Sequence, residues 1–244
     1  MILAIALLAA AASTPAPAAP TVDTIVAGYV ASRGGLAKIR SIQTLRQQGH
    51  ATAGPGRNAV VMRELKRPGK TRFEFTLQGI TAVFASDGTR GWQVSPFQGD
   101  VDAHALPPEA VAEAVEQADI EGPLVDWKAK GHKVELAATE PVDGRPAYKL
   151  KVTLKSGDIR YDYIDTKTSR LVRTDSTRQL RGSPVAIVTT FGDFKMTGGA
   201  LFPGHVEVAA EGRPNHLVLD VDKVEINPPI ADSRFTVPST TPSR

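Results

Sequence analysis

The stretch Arg72-Phe73-Glu74-Phe75-Thr76-Leu77-Gln78 decides the fold class. Side chains of an extended chain alternate between two faces, so Phe73, Phe75 and Leu77 share one side while Arg72, Glu74, Thr76 and Gln78 share the other. A strand that is dry on one face and wet on the other belongs to an antiparallel sheet, because parallel strands are covered on both faces. The same split recurs in Tyr148-Lys149-Leu150-Lys151-Val152-Thr153-Leu154-Lys155 and in Ile159-Arg160-Tyr161-Asp162-Tyr163.

Outward from this strand, turn chemistry sets the boundaries. Gly54-Pro55-Gly56, Pro68-Gly69, Gly79 and Asp87-Gly88 separate strands expected over 44–53, 58–66, 70–78, 80–86 and 91–95. Asp143-Gly144, Ser156-Gly157-Asp158 and Gly198-Gly199 separate a second block over 133–139, 145–155, 159–165, 170–178, 185–195, 201–210 and 216–226. Eleven or twelve strands at this spacing predict one large antiparallel sheet that curls.

Helical periodicity is confined to three places. Thr21 can cap a helix through Ile25, Val26, Tyr29 and Val30 that Gly34-Gly35 stops, and a short helix follows over 36–42. Between the strand blocks, Pro107-Pro108 opens an acidic helix over 109–120. Its apolar stripe of Val111, Ala114, Val115 and Ala118 is thin, which suits a mobile lid. Leu124 and Trp127, in the segment 123–130, are expected to pack beside it.

So little helix leaves an apolar surplus on the sheet. Phe73, Phe75, Leu77, Phe84, Trp92, Val94, Tyr148, Leu150, Val152, Tyr161, Tyr163 and Phe191 are the candidates for lining a ligand cavity, since a curled sheet of this size encloses more volume than its own side chains fill. The alternative for the same residues is a fully packed core.

Composition narrows the chemistry. Lys and Arg number 29 against 26 Asp and Glu, giving a net charge of +3, with the signs interleaved rather than blocked, which argues against nucleic-acid binding. There is no cysteine, so disulfides, thiol catalysis and Cys-type metal sites are excluded. Pro68-Gly69-Lys70-Thr71 ends like a phosphate loop, but Glu64 stands where the first glycine is required and a strand follows. His50, His104, His132, His205 and His216 lack ligand spacing, so no metal or other cofactor is expected. Asp100-Val101-Asp102-Ala103-His104 reads as a solvated loop, and Asp220 with Asp222 as an outer sheet face. Arg170, Arg173, Arg178 and Arg181 read as a solvated strand edge, with contact to anionic lipid as the alternative.

At the other end, Ile2 to Ala12 is an apolar run too short to span a bilayer, followed by Ser13-Thr14-Pro15-Ala16-Pro17-Ala18-Ala19-Pro20. It reads as an export signal and linker over 1–20. A single β domain over 21–238 and a disordered tail over 239–244 complete the division.

Six stretches resemble a known family: Gly34-Gly35-Leu36 within 29–42; Phe84-Ala85-Ser86-Asp87-Gly88-Thr89-Arg90-Gly91-Trp92-Gln93-Val94-Ser95-Pro96-Phe97; Gly122-Pro123-Leu124-Val125-Asp126; Gly131-His132-Lys133-Val134-Glu135-Leu136; Tyr161 to Asp165 before Thr168 and Leu171; and Ile230-Ala231-Asp232-Ser233-Arg234-Phe235 with Pro238. They are similar to outer-membrane lipoprotein-sorting proteins of the LolA/LolB-like superfamily. The resemblance implies a half-open antiparallel barrel whose hydrophobic concavity is covered by helices. It also implies a non-enzymatic carrier of lipid or lipoprotein acyl chains in the periplasm, served by inner- or outer-membrane transport components. No position is assigned the family's lid-locking arginine. Without a cysteine to acylate, the exported chain is expected to diffuse freely and not to insert in a membrane. Two other classes stand beside the carrier. One is an envelope sensor or assembly module that binds a protein through the same half-barrel; the other, an enzyme on a lipid-linked substrate, would need acid and base side chains clustered in the cavity.

Overall fold

The computed structural model describes residues 20–238 except 53, 55–57, 181, 182 and 215. The export signal expected over 1–20 therefore lies, but for Pro20, outside the described residues, as do the tail, Pro55, Gly56 and Arg181. Helix α1 (Val22–Ser32) and α2 (Leu36–Ser41) precede strands β1 (Thr44–Thr52), β2 (Asn58–Lys66), β3 (Lys70–Leu77), β4 (Ile80–Ser86), β5 (Gly91–Ser95) and β6 (Asp100–Ala105). Helix α3 (Pro108–Gln117) then crosses to β7 (Lys133–Val142), β8 (Arg145–Thr153), β9 (Ile159–Asp165), β10 (Leu171–Leu180) and β11 (Ser183–Gly192). The chain ends through β12 (Lys195–Thr197), β13 (Ala200–Phe202), β14 (His205–Ala210) and β15 (Leu217–Ile226).

Thirteen of these strands form one antiparallel sheet in the order β6-β5-β4-β3-β2-β1-β15-β14-β11-β10-β9-β8-β7. Its two halves are meanders that meet where β1 pairs with β15, Leu45 opposite Ile226 and Ala51 opposite Leu219. Strands β6 and β7 are the free edges, so the sheet is not closed into a barrel. Two-residue turns fix the register at key points. Gln78 and Gly79 both take positive φ between Leu77 and Ile80, and Asp143 and Gly144 do so between Val142 and Arg145. That is the mirror-image turn whose twist matches the flanking strands.

The half-open sheet is as expected, but it has more strands. Residues 100–104 are not a loop: they lie in β6, which pairs with β5, and His104 there meets Asp100 at 2.9 Å. The stretch expected as one strand over 185–195 breaks after Gly192, where Asp193 takes φ 47°, and that over 201–210 breaks at Pro203-Gly204. Gly204 lies so close to the Asp193 carbonyl that a Cβ would stand 2.5 Å from it.

The helices lie on one face. Thr21 caps α1 by accepting from Thr24 N at 3.2 Å. Ile25 and Tyr29 of α1, with Leu124 and Val125 of the loop after α3, pack on Val134, Leu150, Val152 and Ile164 of the sheet. On the opposite face the C-terminal segment covers Trp92: Phe235 is fully buried and its carbonyl accepts from Trp92 Nε1 at 3.1 Å.

One buried turn carries a pH dependence. Asp165, the last residue of β9, accepts from Lys167 N at 3.1 Å and from Thr168 N and Oγ1 at 2.7 Å each. Burial alone would push this carboxyl up, but these bonds outweigh it and hold the group below the ordinary carboxylate range. A group depressed in this way contributes stability above its unfolded value and loses it as pH falls through the folded one. The urea midpoint should therefore drop below about pH 4. Asp165→Asn keeps an acceptor oxygen without the charge and should show a shallower drop. An acid profile identical to that of the parent would remove Asp165 as a contributor.

Candidate ligand cavity

Strand register shows which candidates share the helix-covered face. Phe73 and Phe75 stand opposite Phe84 and Ala82 on β4 and opposite Arg63 and Val61 on β2. With Leu77, Ala51, Ala59, Leu217 and Leu219 they form a half-buried apolar patch. Phe191 continues this face through Val206 and Leu219. Tyr148, Leu150 and Val152 are on the same side, but Leu150 and Val152 are wholly buried, and all three pack in the core with α1.

Trp92, Val94, Tyr161 and Tyr163 are on the other face. Trp92 pairs with Ala85, which pairs with Arg72, and the Arg72 guanidinium lies 5.4 Å over the indole. Val94 shares that side with its partner Val83. Tyr163 and Tyr161 stand opposite Lys149 and Lys151, and the Lys149 ammonium lies 5.5 and 5.1 Å from their rings. Alternation divides each strand into two sides without saying which side the helices cover. The cover that dries Trp92 comes from Phe235, far along the chain.

Helix α3 lies over β3, β4 and β5, with Ala114 buried beneath it. Gly91 makes room for it: a Cβ there would stand 3.1 Å from Val111 and 2.6 Å from Leu106. Val115 approaches Gly69, and Ala118 is buried just past the helix end. Leu124 and Trp127 pack with α1 in the core rather than under α3.

Where the end of α3 meets α1 and the middle of the sheet, a cavity of about 300 Å³ opens. Tyr29 of α1 and Arg33 just past its end line it, with Gln117 and Ile120 from the α3 end, and Arg63, Arg160, Arg178 and Phe191 from the sheet. Leu171, Leu201, Phe202, Phe194 and Arg170 also line it, as do Glu116 and Asp119. A smaller hollow of about 180 Å³ continues from it, sharing Arg63, Phe191 and Pro203 and reaching Phe73, Val61 and Leu219. Hollows of about 390 and 610 Å³ lie elsewhere, beside His50 and Asp222 and along α1 at Val30, Leu36 and Trp127.

Arginine defines the cavity. Arg33 donates to Tyr29 Oη at 3.1 Å, to the Ile120 carbonyl at 2.9 Å and to the Glu121 carbonyl. Arg63 donates to the Gln117 carbonyl at the end of α3, at 2.6 Å. These two guanidiniums tie the α3 segment to the body of the protein through backbone oxygens. Arg160 donates to Asp162 at 2.7 and 2.9 Å and to Thr174 at 3.0 Å. Burial works against its charge, yet the neighbouring Asp162 holds it above the ordinary guanidinium value. Arg178 reaches Glu113 and Glu116 of α3 at 3.4 and 3.6 Å. Arg170 lies 5.2 Å over the Phe194 ring.

Two arginines expected on a solvated strand edge, Arg170 and Arg178, thus face this cavity, while Arg173 lies on the other face against Asp175 and Tyr163. Arg33, Arg63 and Arg160 escape the sequence patterns altogether. The available signal was phase: Arg63 falls in step with Ala59 and Val61, and Arg160 with Asp162 and Ile164, so charged groups occupy positions of the dry face. Among the described residues no group of three or more His, Asp and Glu could hold a metal, and His205 and His50 instead meet Asp220 and Asp222 at 2.7 Å each.

No protein-family model and no curated protein sequence matches the chain. Solved structures do. A LolA superfamily protein from Nitrosomonas europaea is 14% identical with a TM-score of 0.56, over 89% of this chain and 98% of its own. A DUF1329 family protein from Desulfovibrio piger is 13% identical with a TM-score of 0.59 at the same two coverages. An outer membrane lipoprotein-sorting protein domain from Vibrio parahaemolyticus is 11% identical with a TM-score of 0.58, over 88% of this chain and 95% of its own. The chain has a LolA-like fold.

Proposed function

We propose that this chain is a non-enzymatic carrier that holds lipid or acylated, lipoprotein-type cargo between the apolar face of its sheet and the α3 segment, in the periplasm. The observation that carries the reading is the cavity itself. It lies on the helix-covered face, continues into the hollow beside Phe73 and Leu219, and is bridged by guanidinium-to-carbonyl bonds from Arg33 and Arg63. The LolA-like fold agrees with it, as does the absence, among the described residues, of a helix long and apolar enough to cross a membrane.

The energetics favour long chains. At about 300 Å³ the cavity is at the lower limit of ligand pockets, so a full acyl chain requires α3 to lift. Lifting breaks the bonds from Arg33 and Arg63 to backbone oxygens, each worth about 2 kcal/mol because the donor is charged. Burying hydrocarbon returns about 0.8 kcal/mol per methylene, so roughly eight methylenes offset three such bonds. Gly122, at φ 77° and followed by Pro123, is the pivot at one end of the segment, and Pro107-Pro108 stands at the other.

The test is to purify the exported chain from a bacterial host, extract it for lipid mass spectrometry and titrate it with a fluorescent fatty-acid probe. Co-purifying acyl lipid is expected, with competitors displacing the probe more strongly once their chains exceed about eight carbons. A lipid-free protein that binds no probe overturns the carrier reading. A stoichiometric protein partner without lipid would replace it with a protein-binding module.

A further inference from the structure

The arginines on the two faces of the sheet are used differently. On the outer face Arg46, Arg72, Arg173 and Arg234 each hold a carboxylate at 2.6 to 2.8 Å. In the cavity, among the described residues, Arg33, Arg63 and Arg170 have no carboxylate within 4 Å. Two acidic residues in the wall are already engaged: Asp119 by Lys130 at 2.5 Å, and Glu116 by Arg178 at 3.6 Å. The cavity therefore carries uncompensated positive charge beside Phe191, Leu201 and Phe202.

We propose that the cavity selects amphiphiles whose head group is a compact oxyanion, a phosphate or carboxylate, bound by Arg63 and Arg170 while the hydrocarbon lies along Phe191 and Phe202. This deepens the carrier reading and rests on it.

Guanidinium suits the role because its planar fork matches two oxygens of a phosphate or carboxylate at once. Arg170 is preorganised by its stack on Phe194 and spends no hydrogen bond on a protein carboxylate. Arg63 is the second member of the pair. It sits on β2 in phase with the dry face, and its recorded bond goes to a neutral carbonyl. Burial lowers it below the ordinary guanidinium value, as befits a cation whose charge is not met. An arriving oxyanion would meet that charge and, by drawing Arg63 away from the Gln117 carbonyl, loosen the end of α3. Head-group recognition and lid opening would then be one event. The same chemistry could come from a free oxyanion, so the source must be tested with the class.

The full chain, delipidated without denaturant, is titrated with lysophosphatidate, with the monoacylglycerol of the same chain, and with inorganic phosphate. Lysophosphatidate should bind about tenfold tighter than the monoacylglycerol or more, and the difference should shrink with added salt. Arg170→Gln should cut the preference severalfold, and Arg63→Gln with Arg170→Gln should bring it close to one; because Arg63→Gln also removes one of the bonds that α3 breaks on lifting, the double variant should bind the monoacylglycerol at least as tightly as the parent. That neutral ligand is also the control for folding, and among the described residues the Arg170 side chain makes no hydrogen bond for Arg170→Gln to disturb. Equal binding of the two lipids by the parent overturns head-group selection and leaves the carrier reading standing. Binding of neither overturns both. Inorganic phosphate binding as tightly as lysophosphatidate makes the ligand a free oxyanion and overturns the hydrocarbon part of the proposal.

Discussion

Glu64→Ala is expected to lower the stability of the chain by about 3 kcal/mol, read as a shift of the urea midpoint at unchanged slope. Glu64 is on the outer side of β2 and only 1% exposed. Its Oε1 accepts from Arg46 Nε and its Oε2 from Arg234 Nε, both at 2.8 Å. Arg234 also donates to Glu74 at 2.8 Å, and Arg72 bridges Glu74 at 2.6 Å to the Arg234 carbonyl at 2.9 Å. Alanine would leave two guanidiniums facing each other without the carboxylate between them. Breaking a buried pair from one side costs about 3–5 kcal/mol. The lower figure applies because Arg46 and Arg234 are 24% and 36% exposed and water can reach them. The loss would be felt beyond β2, since Arg234 anchors the segment that buries Phe235 and holds the Trp92 indole. Hydrogen exchange should accelerate first near residues 230–236. A variant within 0.5 kcal/mol of the parent, roughly the range of an ordinary surface substitution, would show that the network is decorative.

This network also marks the limit of what the sequence discloses. Phe73-Glu74-Phe75 gives a strand with a dry and a wet side, and the wet side is where Glu74 lies, yet nothing local says that Glu74 will be covered by Arg234. Strand identity and hairpin turns were legible because they depend on near neighbours: Gln78-Gly79 and Asp143-Gly144 set φ within two residues. Helix α1 was legible from Thr21 to Gly34 for the same reason. Strand β6 was not, because its side chains Asp100, Val101 and Asp102 are all exposed and carry no alternation of burial. The cavity was half legible. Phe191 and, in the adjoining hollow, Phe73 follow from periodicity, whereas Arg33 and Arg63 acquire meaning only when the end of α3 arrives above them. Charges in phase with a dry face look like defects in the pattern until the opposite wall is in place, and that wall is a tertiary fact.

Asp162→Ala should cost more, about 4 kcal/mol, because both partners are inside. Asp162 is fully buried, and the Arg160 side chain is only 17% exposed. Asp162 Oδ1 collects Arg160 Nε and Nη2 and the Thr174 hydroxyl, while Oδ2 has no partner among the described residues. What holds the carboxylate in place is therefore the Arg160 charge and one oxygen, and what neutralises Arg160 is Asp162. Removing Asp162 releases a fourth uncompensated guanidinium into a wall that already holds Arg33, Arg63 and Arg170. The loss should accordingly depend on what occupies the cavity. An oxyanion that binds the folded chain and not the unfolded one stabilises it in proportion to its affinity. Lysophosphatidate should therefore raise the melting temperature of the Asp162→Ala chain by more than it raises that of the parent, recovering part of the deficit. An equal rise in the two proteins would mean that Arg160 does not face the bound anion. A rise that the monoacylglycerol reproduces would mean that the hydrocarbon alone supplies the stabilisation, so the thermal shift separates the two halves of the ligand on a variant that leaves Arg63 and Arg170 untouched.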